Sequence, residues 1–303
     1  MPLNPSSAPH PPLFSVLALM FNALVWGVSW WPLRQLELAG LHPLWATALI
    51  YLLAIACTLL AFPGALRQWL GQPALWALAL AAGMTNVCFN WAVTVGDVVR
   101  VVLLFYLMPL WASLLAWWLL GERPRGADLL RMLLALAGVA VVLKTPGSDW
   151  PLPQSLSDWL GLAGGFSFAL TNVMLRRLHQ TPAPARVLAM FGGGSLLSAL
   201  TALVGLGQGL VTPLPAPALG WLLLAAGLSL AYLGGNVALQ YGAARLRSST
   251  TALVMLSEVL FASVSAMALG AAELSMRVWL GGALIVASAA WSAWAPAQPK
   301  TSA

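Results

Sequence analysis

Charged residues are scarce in this chain. Only 7% of its residues are Asp, Glu, Lys or Arg, whereas 60% are hydrophobic and the mean hydropathy is +0.86. Water-soluble domains carry about 25% charged residues. A soluble fold with so little charge would expose large apolar patches and aggregate. The composition therefore excludes an ordinary soluble domain and predicts an integral membrane protein.

The small excess of basic residues does not indicate a nucleic-acid-binding surface. The formal net charge is +6, but the 14 Lys and Arg residues are scattered at the edges of apolar runs. We therefore expect no nucleic-acid partner. The expected partners are a small-molecule substrate and the lipid bilayer, and the chain is expected to act as a monomer or a homodimer.

Cysteine and histidine are also rare. The two cysteines, Cys57 and Cys88, lie inside apolar runs, which predicts buried thiols and no disulfide. The three histidines, His10, His42 and His179, lie outside these runs and far apart in the sequence. Neither an H-E-x-x-H motif nor a paired acidic motif is present. The sequence therefore predicts no metal or other cofactor and argues against an enzyme.

Long apolar runs make up most of the chain. A membrane-spanning helix needs about 20 apolar residues, and by that rule the sequence contains ten candidates. Continuous runs favour helices over barrel strands, which are about 10 residues of alternating polarity. The predicted fold is therefore all-α and integral to the membrane. The ten predicted spans cover residues 13–33, 43–62, 74–95, 99–120, 127–143, 158–175, 187–206, 217–241, 249–270 and 277–295.

The placement of Lys and Arg predicts the orientation, because cytoplasmic loops carry the excess of these residues. With the N-terminus in the cytoplasm, ten of the 14 lie at cytoplasmic ends and four at outer ends. Both termini are then cytoplasmic, and the protein lies in the cell inner membrane. The four outer residues are Arg34, Arg100, Lys144 and Arg277; the ten cytoplasmic ones are Arg67, Arg123, Arg125, Arg131, Arg176, Arg177, Arg186, Arg245, Arg247 and Lys300.

The longest break in the apolar pattern divides five predicted spans from five. Residues 1–12 are predicted to be a cytoplasmic tail, 13–144 a first five-helix repeat, 145–157 a periplasmic linker, 158–295 a second five-helix repeat, and 296–303 a second cytoplasmic tail. Because five is an odd number, the second repeat must enter the membrane inverted relative to the first. Inverted repeats build a substrate site where they meet.

A short pattern recurs in the two predicted repeats. Asn90-x-Ala92-x-x-x-Gly96 in the third span matches Asn236-x-Ala238-x-x-x-Gly242 in the eighth. Weak internal similarity of this kind is typical of transporters built from repeats. It predicts that the two asparagines occupy related positions near the substrate site.

Polar and aromatic side chains occur at helical spacing in six of the predicted spans. Such groups are costly in hydrocarbon, so they face the bundle interior or a watery cavity. They predict a central substrate cavity, whereas the second, fifth, seventh and tenth spans are interpreted as scaffold. The alternative is that the polar residues are interhelical hydrogen bonds worth about 0.6 kcal/mol each. The predicted cavity residues are Asn22, Trp26, Asn86, Asn90, Tyr106, Pro109, Asn172, Tyr232, Asn236 and Glu258.

Two of these residues have more specific predicted roles. Glu258 is the only ionisable residue near the middle of a predicted span, and an ionised acid there costs about 2.5–3.5 kcal/mol on insertion scales. We expect Glu258 to couple transport to protons; the alternative is a neutral side chain bonded to a neighbouring helix. Pro109 lies within the fourth span and predicts a kink, which is either a hinge or static.

Several short motifs follow one another in order over nearly the whole chain. They are Trp26-Gly27, Tyr106-Leu107-Met108-Pro109, Leu120-Gly121-Glu122-Arg123, the run at 134–143, Arg176-Arg177, Leu256-Ser257-Glu258 and Gly281-Gly282-Ala283-Leu284-Ile285. This set resembles the drug/metabolite transporter superfamily, EamA type. The resemblance implies ten helices in two inverted five-helix repeats around a central cavity, and export of amino acids or other small metabolites. The chain departs from the pattern at Ile50, at Val259 and in the second Gly-Glu motif, which is split into Gly270-Ala271-Ala272-Glu273. Substrate and coupling ion are therefore not carried over.

The leading functional hypothesis is a small-molecule exporter that works by alternating access. Deep Trp, Tyr and Asn residues suit a ligand with an apolar body and polar groups. No nucleotide-binding loop is present, so export would be coupled to protons or passive. Drugs, nucleosides and nucleotide sugars remain open as substrates. A membrane-embedded enzyme and a non-transporting sensor or scaffold are the alternatives, and the first lacks a catalytic cluster.

Overall fold

Helices form all of the regular structure in the described part of the chain. The computed structural model describes residues 13–120, 126–144, 152–178, 180–243, 254–255, 257–271 and 275–294. The all-α class predicted from the sequence is confirmed for these residues. The helices are α1 (Leu13–Val28), α2 (Trp30–Leu38), α3 (Pro43–Ala61), α4 (Gly64–Gly71), α5 (Pro73–Val95), α6 (Val98–Phe105), α7 (Met108–Leu120), α8 (Gly126–Leu143), α9 (Leu156–Arg177), α10 (Ala183–Gly207), α11 (Leu219–Ala243), α12 (Ser257–Ala268) and α13 (Met276–Trp294).

Five helical stretches in the described ranges are long and apolar enough to cross a membrane. They are Leu13–Leu38, Pro43–Ala61, Pro73–Val95, Ala183–Gly207 and Leu219–Gly242. Four shorter apolar stretches accompany them: Val98–Ala112, Leu129–Val142, Ser257–Ala268 and Met276–Ser288. The protein is thus a multi-pass membrane protein, whereas the count of ten spans stays a prediction.

The outer surface of the bundle is apolar. Phe14, Leu60 and Trp118 expose 75%, 86% and 79% of their side chains, and many other leucines are at least half exposed. In water such a surface would drive aggregation. In a bilayer it contacts lipid tails without penalty, which agrees with the membrane assignment.

Local sequence signals explain where several helices begin. Pro43 and Pro73 are the first residues of α3 and α5, positions where a missing backbone N–H is harmless. At the start of α9, the Ser155 hydroxyl accepts a hydrogen bond from the Asp158 N–H at 3.1 Å. The Asp158 carboxylate accepts in turn from the Ser155 N–H at 3.4 Å, which completes a capping box.

The fourth predicted span is a broken helix rather than one kinked helix. The first segment, α6, ends at Phe105, a turn follows at Tyr106 and Leu107, and α7 begins at Met108. Pro109 is therefore the second residue of a new helix, and the interruption lies just before it, at Tyr106 and Leu107, rather than as a kink within one continuous helix. The physical reason is that residues in the first turn of a helix need no backbone N–H donor, so proline, which lacks one, fits there.

Glycines allow the helices of the two halves to approach closely. A Cβ atom on Gly193 of α10 would lie 1.9 Å from the Ala79 carbonyl oxygen of α5, and one on Gly27 of α1 would lie 2.8 Å from the Glu258 carbonyl oxygen of α12. In the same way, a Cβ on Gly165 of α9 would lie 2.6 Å from the Phe105 carbonyl oxygen of α6. Helix contacts at backbone distance are the usual way to pack helices in lipid.

Contacts between helices connect the two halves extensively. The first helix, α1, packs against α11 and α12, while α9 packs against α5, α6 and α7. In addition, α3 packs against α10 and α8 packs against α13. The largest fully buried side chains in this interior are Tyr51, Tyr106 and Tyr232, so the core of the bundle contains hydroxyl groups that need partners.

Some sequence predictions fall outside the described residues. These include both predicted tails, 1–12 and 296–303, and residues 145–151 of the predicted linker. They also include Leu256 and Glu273, and the Gly121-Glu122 pair at the end of the fourth span.

Candidate functional site

Polar and aromatic side chains from six parts of the bundle meet in its interior. They come from α1, α3, α5, the turn between α6 and α7, α11 and α12, and they contact one another directly or through shared neighbours. Seven of the nine are predicted cavity residues. We refer to these nine as the central polar group: Asn22, Trp26, Thr47, Tyr51, Asn86, Asn90, Tyr106, Tyr232 and Glu258.

Glu258 lies at one side of the central polar group and is 7% exposed. Its Oε2 atom is 3.1 Å from the Tyr106 hydroxyl oxygen. The same hydroxyl is 2.9 Å from the Met255 carbonyl oxygen. Tyr106 therefore joins the break between α6 and α7 to the chain around the start of α12. The acid that the sequence singled out has a buried hydroxyl as its partner.

A chain of aromatic rings connects Glu258 to the other side of the group. Tyr106 adjoins Phe105, whose ring lies 4.8 Å from that of Phe89. Phe89 in turn contacts Trp26 at 6.1 Å between centroids. Trp26 stacks on Tyr232 at 4.5 Å with an interplanar angle of 20°. The phenylalanines were not predicted as site residues, and they supply the apolar part of this interior.

On the side of the central polar group away from Glu258, hydrogen bonds join α3 to α5. The Asn86 amide N–H donates to the Ala82 carbonyl at 2.8 Å, so the Asn86 Oδ1 atom faces Tyr51 and accepts from its hydroxyl at 2.7 Å. The Asn90 Nδ2 group donates to the Thr47 hydroxyl at 3.1 Å and lies 3.5 Å from the Tyr51 hydroxyl. These bonds hold α3 against α5.

The second predicted span, interpreted from the sequence as scaffold, also contributes side chains to the central polar group. This span is α3, and its Thr47 and Tyr51 side chains are both buried in the central polar group. The Tyr51 ring also meets the Tyr232 ring at 5.8 Å in an edge-on arrangement. The two residues are four apart, so they share a helix face. That spacing was visible in the sequence, but two polar residues in a long apolar run were too few to stand out.

Three predicted cavity residues are not brought into this group. The Asn172 side chain on α9 is exposed, while its neighbour Thr171 is buried and lies 3.4 Å from Thr85. Asn236 is half-buried, and its Oδ1 atom accepts a hydrogen bond from Gln240 of its own helix at 2.8 Å. Pro109 lies in the first turn of α7, and its side chain is outside the described part of the structure.

Some polar residues serve as interhelical hydrogen bonds, as the alternative interpretation proposed. The Trp30 indole N–H donates to the Ser265 hydroxyl at 2.9 Å and joins α2 to α12. The Ser195 hydroxyl donates to the Ala48 carbonyl at 2.9 Å and joins α10 to α3. These pairs lie outside the central polar group, so the interpretation as interhelical hydrogen bonds applies to these residues.

An ion pair joins the two halves near the start of α9. The Arg100 guanidinium of α6 forms a bidentate pair with the Asp158 carboxylate, at 2.6 and 2.9 Å. Its third nitrogen donates to the Val142 carbonyl, in the last turn of α8, at 2.7 Å. The Asp158 side chain is 2% exposed. A buried carboxylate this well bonded fixes the positions of α6, α8 and α9 relative to one another.

Two further arginines bind carbonyl groups at the C-terminal ends of helices. Arg34 donates to the Thr94 carbonyl at 3.1 Å and to the Gly96 carbonyl at the end of α5. Arg277 donates to the Lys144 carbonyl just beyond α8. The last carbonyls of a helix carry partial negative charge. These guanidinium groups are therefore bound to backbone within the protein.

The remaining candidate features do not define another site. No group of three or more His, Cys, Asp or Glu residues that could hold a metal ion occurs among the described residues. A shallow, open depression lies between α8 and α13, lined by Ala140, Val141, Lys144 and Arg277. It does not include any residue of the central polar group.

Comparison with known proteins agrees with the helical membrane fold. Residues 13–144 match the EamA-like transporter family. No curated protein matches the chain. Fifteen chains of solved structures match, and one of them, a crystal structure whose description names no activity, has 22% sequence identity to this chain. The match covers 91% of this chain and 95% of the other, with a TM-score of 0.57, and at this identity it shows the fold alone.

The family match lies on the segment that the sequence analysis predicted to be the first repeat, and it confirms the resemblance drawn there. Members of this family are transporters rather than enzymes. Residues 13–144 are thus similar to the EamA-like transporter family of the drug/metabolite transporter superfamily.

Proposed function

We propose that this protein exports amino acids or similar small amphipathic metabolites across the inner membrane, by alternating access coupled to protons at Glu258. The observation that carries the proposal is the buried contact between Glu258 and Tyr106, within an interior lined by Trp26, Tyr51 and Tyr232. Aromatic faces with a few polar groups are typical of sites for small amphipathic ligands.

The proposed architecture has two inverted five-helix repeats, at residues 13–144 and 158–295, joined by a periplasmic linker at 145–157. Contacts between the halves support it because they occur in related pairs. The first span contacts the eighth and ninth through α1, α11 and α12. The sixth span contacts the third and fourth through α9, α5, α6 and α7. Exchanging the two repeats converts one set of contacts into the other.

The proposed orientation places both termini in the cytoplasm. Three of the four basic residues assigned to the outer side, Arg34, Arg100 and Arg277, bind helix carbonyls or a carboxylate inside the protein. The positive-inside rule concerns an excess of Lys and Arg in cytoplasmic loops, so these three bound arginines at the outer ends do not contradict it. Five of the ten residues assigned to the cytoplasmic side lie outside the described chain: Arg123, Arg125, Arg245, Arg247 and Lys300.

The coupling proposal follows from the Tyr106 hydroxyl, which has only one proton to donate. Its hydroxyl has one proton and lies between two oxygens, the Met255 carbonyl and Glu258 Oε2. An ionised Glu258 only accepts hydrogen bonds, so both neighbours would then compete for that proton. A protonated Glu258 instead donates to Tyr106, which donates to Met255. The protonation state of Glu258 thus decides whether the turn before α7 stays bonded to Met255.

The groups around Glu258 fit this role. The Tyr106 hydroxyl is hydrogen-bonded to its carboxyl group, and the Tyr232 hydroxyl of α11 lies within electrostatic range of it. Neither of these two side chains is a cation. A proton is therefore the simplest way to neutralise the acid when the interior is closed.

The test is proton-driven transport by a Glu258→Gln variant in proteoliposomes. The probe is a radiolabelled amino acid chosen by a thermal-shift screen, because a ligand that binds the folded state raises its stability. Glutamine retains the size of the side chain but cannot ionise. We expect Glu258→Gln to abolish accumulation driven by a pH gradient while it preserves exchange of labelled for unlabelled substrate.

A matched control is Glu37→Gln, which makes the same substitution on α2, outside the central polar group. This variant should accumulate substrate as the wild type does. Full pH-driven accumulation by Glu258→Gln would refute the coupling role. A wild type whose transport does not respond to a pH gradient would instead indicate a passive facilitator.

A further inference from the structure

The unpartnered polar atoms of the central polar group are mostly acceptors. The Oδ1 atoms of Asn22 and Asn90 have no hydrogen-bond partner among the described residues, and neither has the Tyr232 hydroxyl. These three side chains are 1%, 0% and 1% exposed. A buried carbonyl without a donor has lost its hydrogen bonds to water and gained none in return, which destabilises the folded state. Three such atoms in one region therefore require an explanation.

The orientation of Asn90 is determined by its neighbours. The Thr47 hydroxyl donates its proton to the Pro43 carbonyl at 2.9 Å, and the Tyr51 hydroxyl donates to Asn86. Both hydroxyls can then only accept from Asn90, so the amide group of Asn90 must face them. Its Oδ1 atom is therefore left as an acceptor without a donor among the described residues.

The unpartnered Oδ1 atom of Asn22 faces α11. Its Nδ2 group donates to the Met255 sulfur at 3.6 Å. Its Oδ1 atom would lie 3.3 Å from a Cβ on Gly235, one turn beyond Tyr232. Tyr232 in turn stacks on Trp26. The acceptor of Asn22, the hydroxyl of Tyr232 and an aromatic face thus belong to one stretch between α1 and α11.

The charge of the group has a single sign. Glu258 is its only acid, and it contains no Lys, Arg or His. The guanidinium groups of Arg34 and Arg100 are bound to helix carbonyls and to Asp158. The unpartnered indole N–H of Trp111 lies on α7 beside Phe166, outside the group. The group therefore offers acceptors and negative charge but no cation for a carboxylate.

From these observations we infer that the central polar group binds a protonated amine through its N–H donors. The ammonium hydrogens bond to the Oδ1 atoms of Asn22 and Asn90, Glu258 supplies the negative charge, and the apolar body of the ligand lies on Trp26 and Tyr232. A cation over aromatic faces gains further stabilisation. This inference rests on the proposed transport function and narrows its substrate class to amines with N–H groups. The carboxylate of an amino acid has no partner here, so within the proposed substrates the inference favours small amines over amino acids.

The first experiment compares four probes that share a phenyl ring. They are 2-phenylethylammonium, its N,N,N-trimethyl derivative, phenylalanine and 3-phenylpropionate. Binding to the purified full chain in detergent at pH 7 is measured by thermal shift and by calorimetry. We expect the primary ammonium ion to bind at least about tenfold more tightly than the other three, because hydrogen bonds between an ion and an acceptor are worth about 1.5–3 kcal/mol.

Each other outcome overturns the inference in a defined way. Equal or tighter binding of the trimethyl derivative would mean that the aromatic faces alone bind a cation and the acceptors take no part. Tighter binding of phenylalanine would mean that a carboxylate is recognised. Absence of binding by all four probes would show that the acceptors do not form an ammonium site.

The second experiment separates binding from folding. An Asn22→Leu variant removes the unpartnered carbonyl, so it should leave the melting temperature of the ligand-free protein unchanged or raise it. The same variant should weaken binding of phenylethylammonium about tenfold. A matched control is Ser198→Ala, which removes another buried, unpartnered oxygen on α10 and should not change this affinity. A lower melting temperature with unchanged affinity in Asn22→Leu would show that Asn22 is structural.

Failure of this inference can be told apart from failure of the proposed transport. Binding is measured without flux, so an ammonium site on a protein that does not move the bound amine would contradict only the transport proposal. Flux of an amino acid by a protein that does not bind phenylethylammonium would contradict only the inference.

Discussion

At the scale of single residues, buried hydroxyl and amide groups organise the interior of this protein. Tyr51, Tyr106 and Tyr232 are each 2% exposed or less, and a hydroxyl in such a place normally needs a partner. Tyr51 and Tyr106 have partners in an asparagine and an acid, whereas Tyr232 has none among the described residues. Some buried polar groups of this interior thus have hydrogen-bond partners and others have none. This distinguishes it from an interior formed by apolar packing alone.

A residue outside the spans predicts how stability depends on pH. His42 precedes α3, and its Nδ1 atom accepts a hydrogen bond from the Leu44 N–H at 3.3 Å. The ring also meets Trp91 edge-on at 5.4 Å. Partial burial lowers the pKa of His42, so the folded chain binds a proton less readily than the unfolded chain. The contribution of neutral His42 to the free energy of unfolding is therefore fully present above the pKa of the unfolded chain. It is lost as the pH falls towards the lower pKa of the folded chain.

The measurement is thermal unfolding in detergent between pH 8 and pH 5. We expect the wild type to lose more stability over this range than His42→Asn, which keeps a cap acceptor but does not titrate. Parallel curves for the two proteins would show that His42 has no part in the acid sensitivity.

At the scale of helices, glycine decides which helices can pack closely. Three consecutive glycines of α10 face large neighbours: Gly192 lies against the Trp69 ring, Gly193 against the Ala79 backbone, and Gly194 against the Tyr51 ring. The position of Tyr51 in the central polar group therefore depends on the absence of a side chain on the facing helix. Helix packing and site geometry are linked at this point.

A glycine substitution tests this link. In Gly193→Ala, the added Cβ would lie 1.9 Å from a carbonyl oxygen that belongs to the backbone and cannot rotate away. We expect a loss of about 1–3 kcal/mol or more in the free energy of unfolding. The control is Gly227→Ala on α11, where a Cβ would meet nothing within 4 Å. That variant should be neutral or more stable by up to about 1 kcal/mol. Equal melting temperatures for the two variants would contradict the close α5–α10 contact.

At the scale of the whole molecule, orientation in the membrane is the property that the proposed mechanism requires. The two described loops that report it are the one before α9 and the one before α10. Leu152 is 62% exposed in the first, and Gln180 is exposed in the second. Under the proposed orientation the first faces the periplasm and the second the cytoplasm.

Cysteine labelling in intact cells tests this orientation. Leu152→Cys and Gln180→Cys are introduced separately into a Cys57→Ser, Cys88→Ala background. We expect a membrane-impermeant maleimide to label position 152 from outside and position 180 only after the cells are lysed. Labelling of position 180 but not 152 in intact cells would reverse the orientation.

The class of this protein could be predicted from its sequence, because hydropathy is local and adds along the chain. Ten apolar runs, of which each coincides at least in part with a helix in the described residues, indicate a helical membrane protein without reference to packing. Glu258 could be singled out for the same reason, since one ionisable group in an apolar run is visible from its neighbours alone. The pairing of this acid with Tyr106 was not visible, because the two lie 152 residues apart.

Only the tertiary structure decided which polar side chains meet. A helical residue turns by 100° relative to the one before it, so the rotation of each helix determines whether a given side chain faces the interior. Asn172 and Thr171 are adjacent, yet the first is exposed and the second buried. Tyr51 reaches the interior because glycines on α10 let that helix approach. This rotation depends on shape complementarity between distant segments, which local sequence patterns do not record.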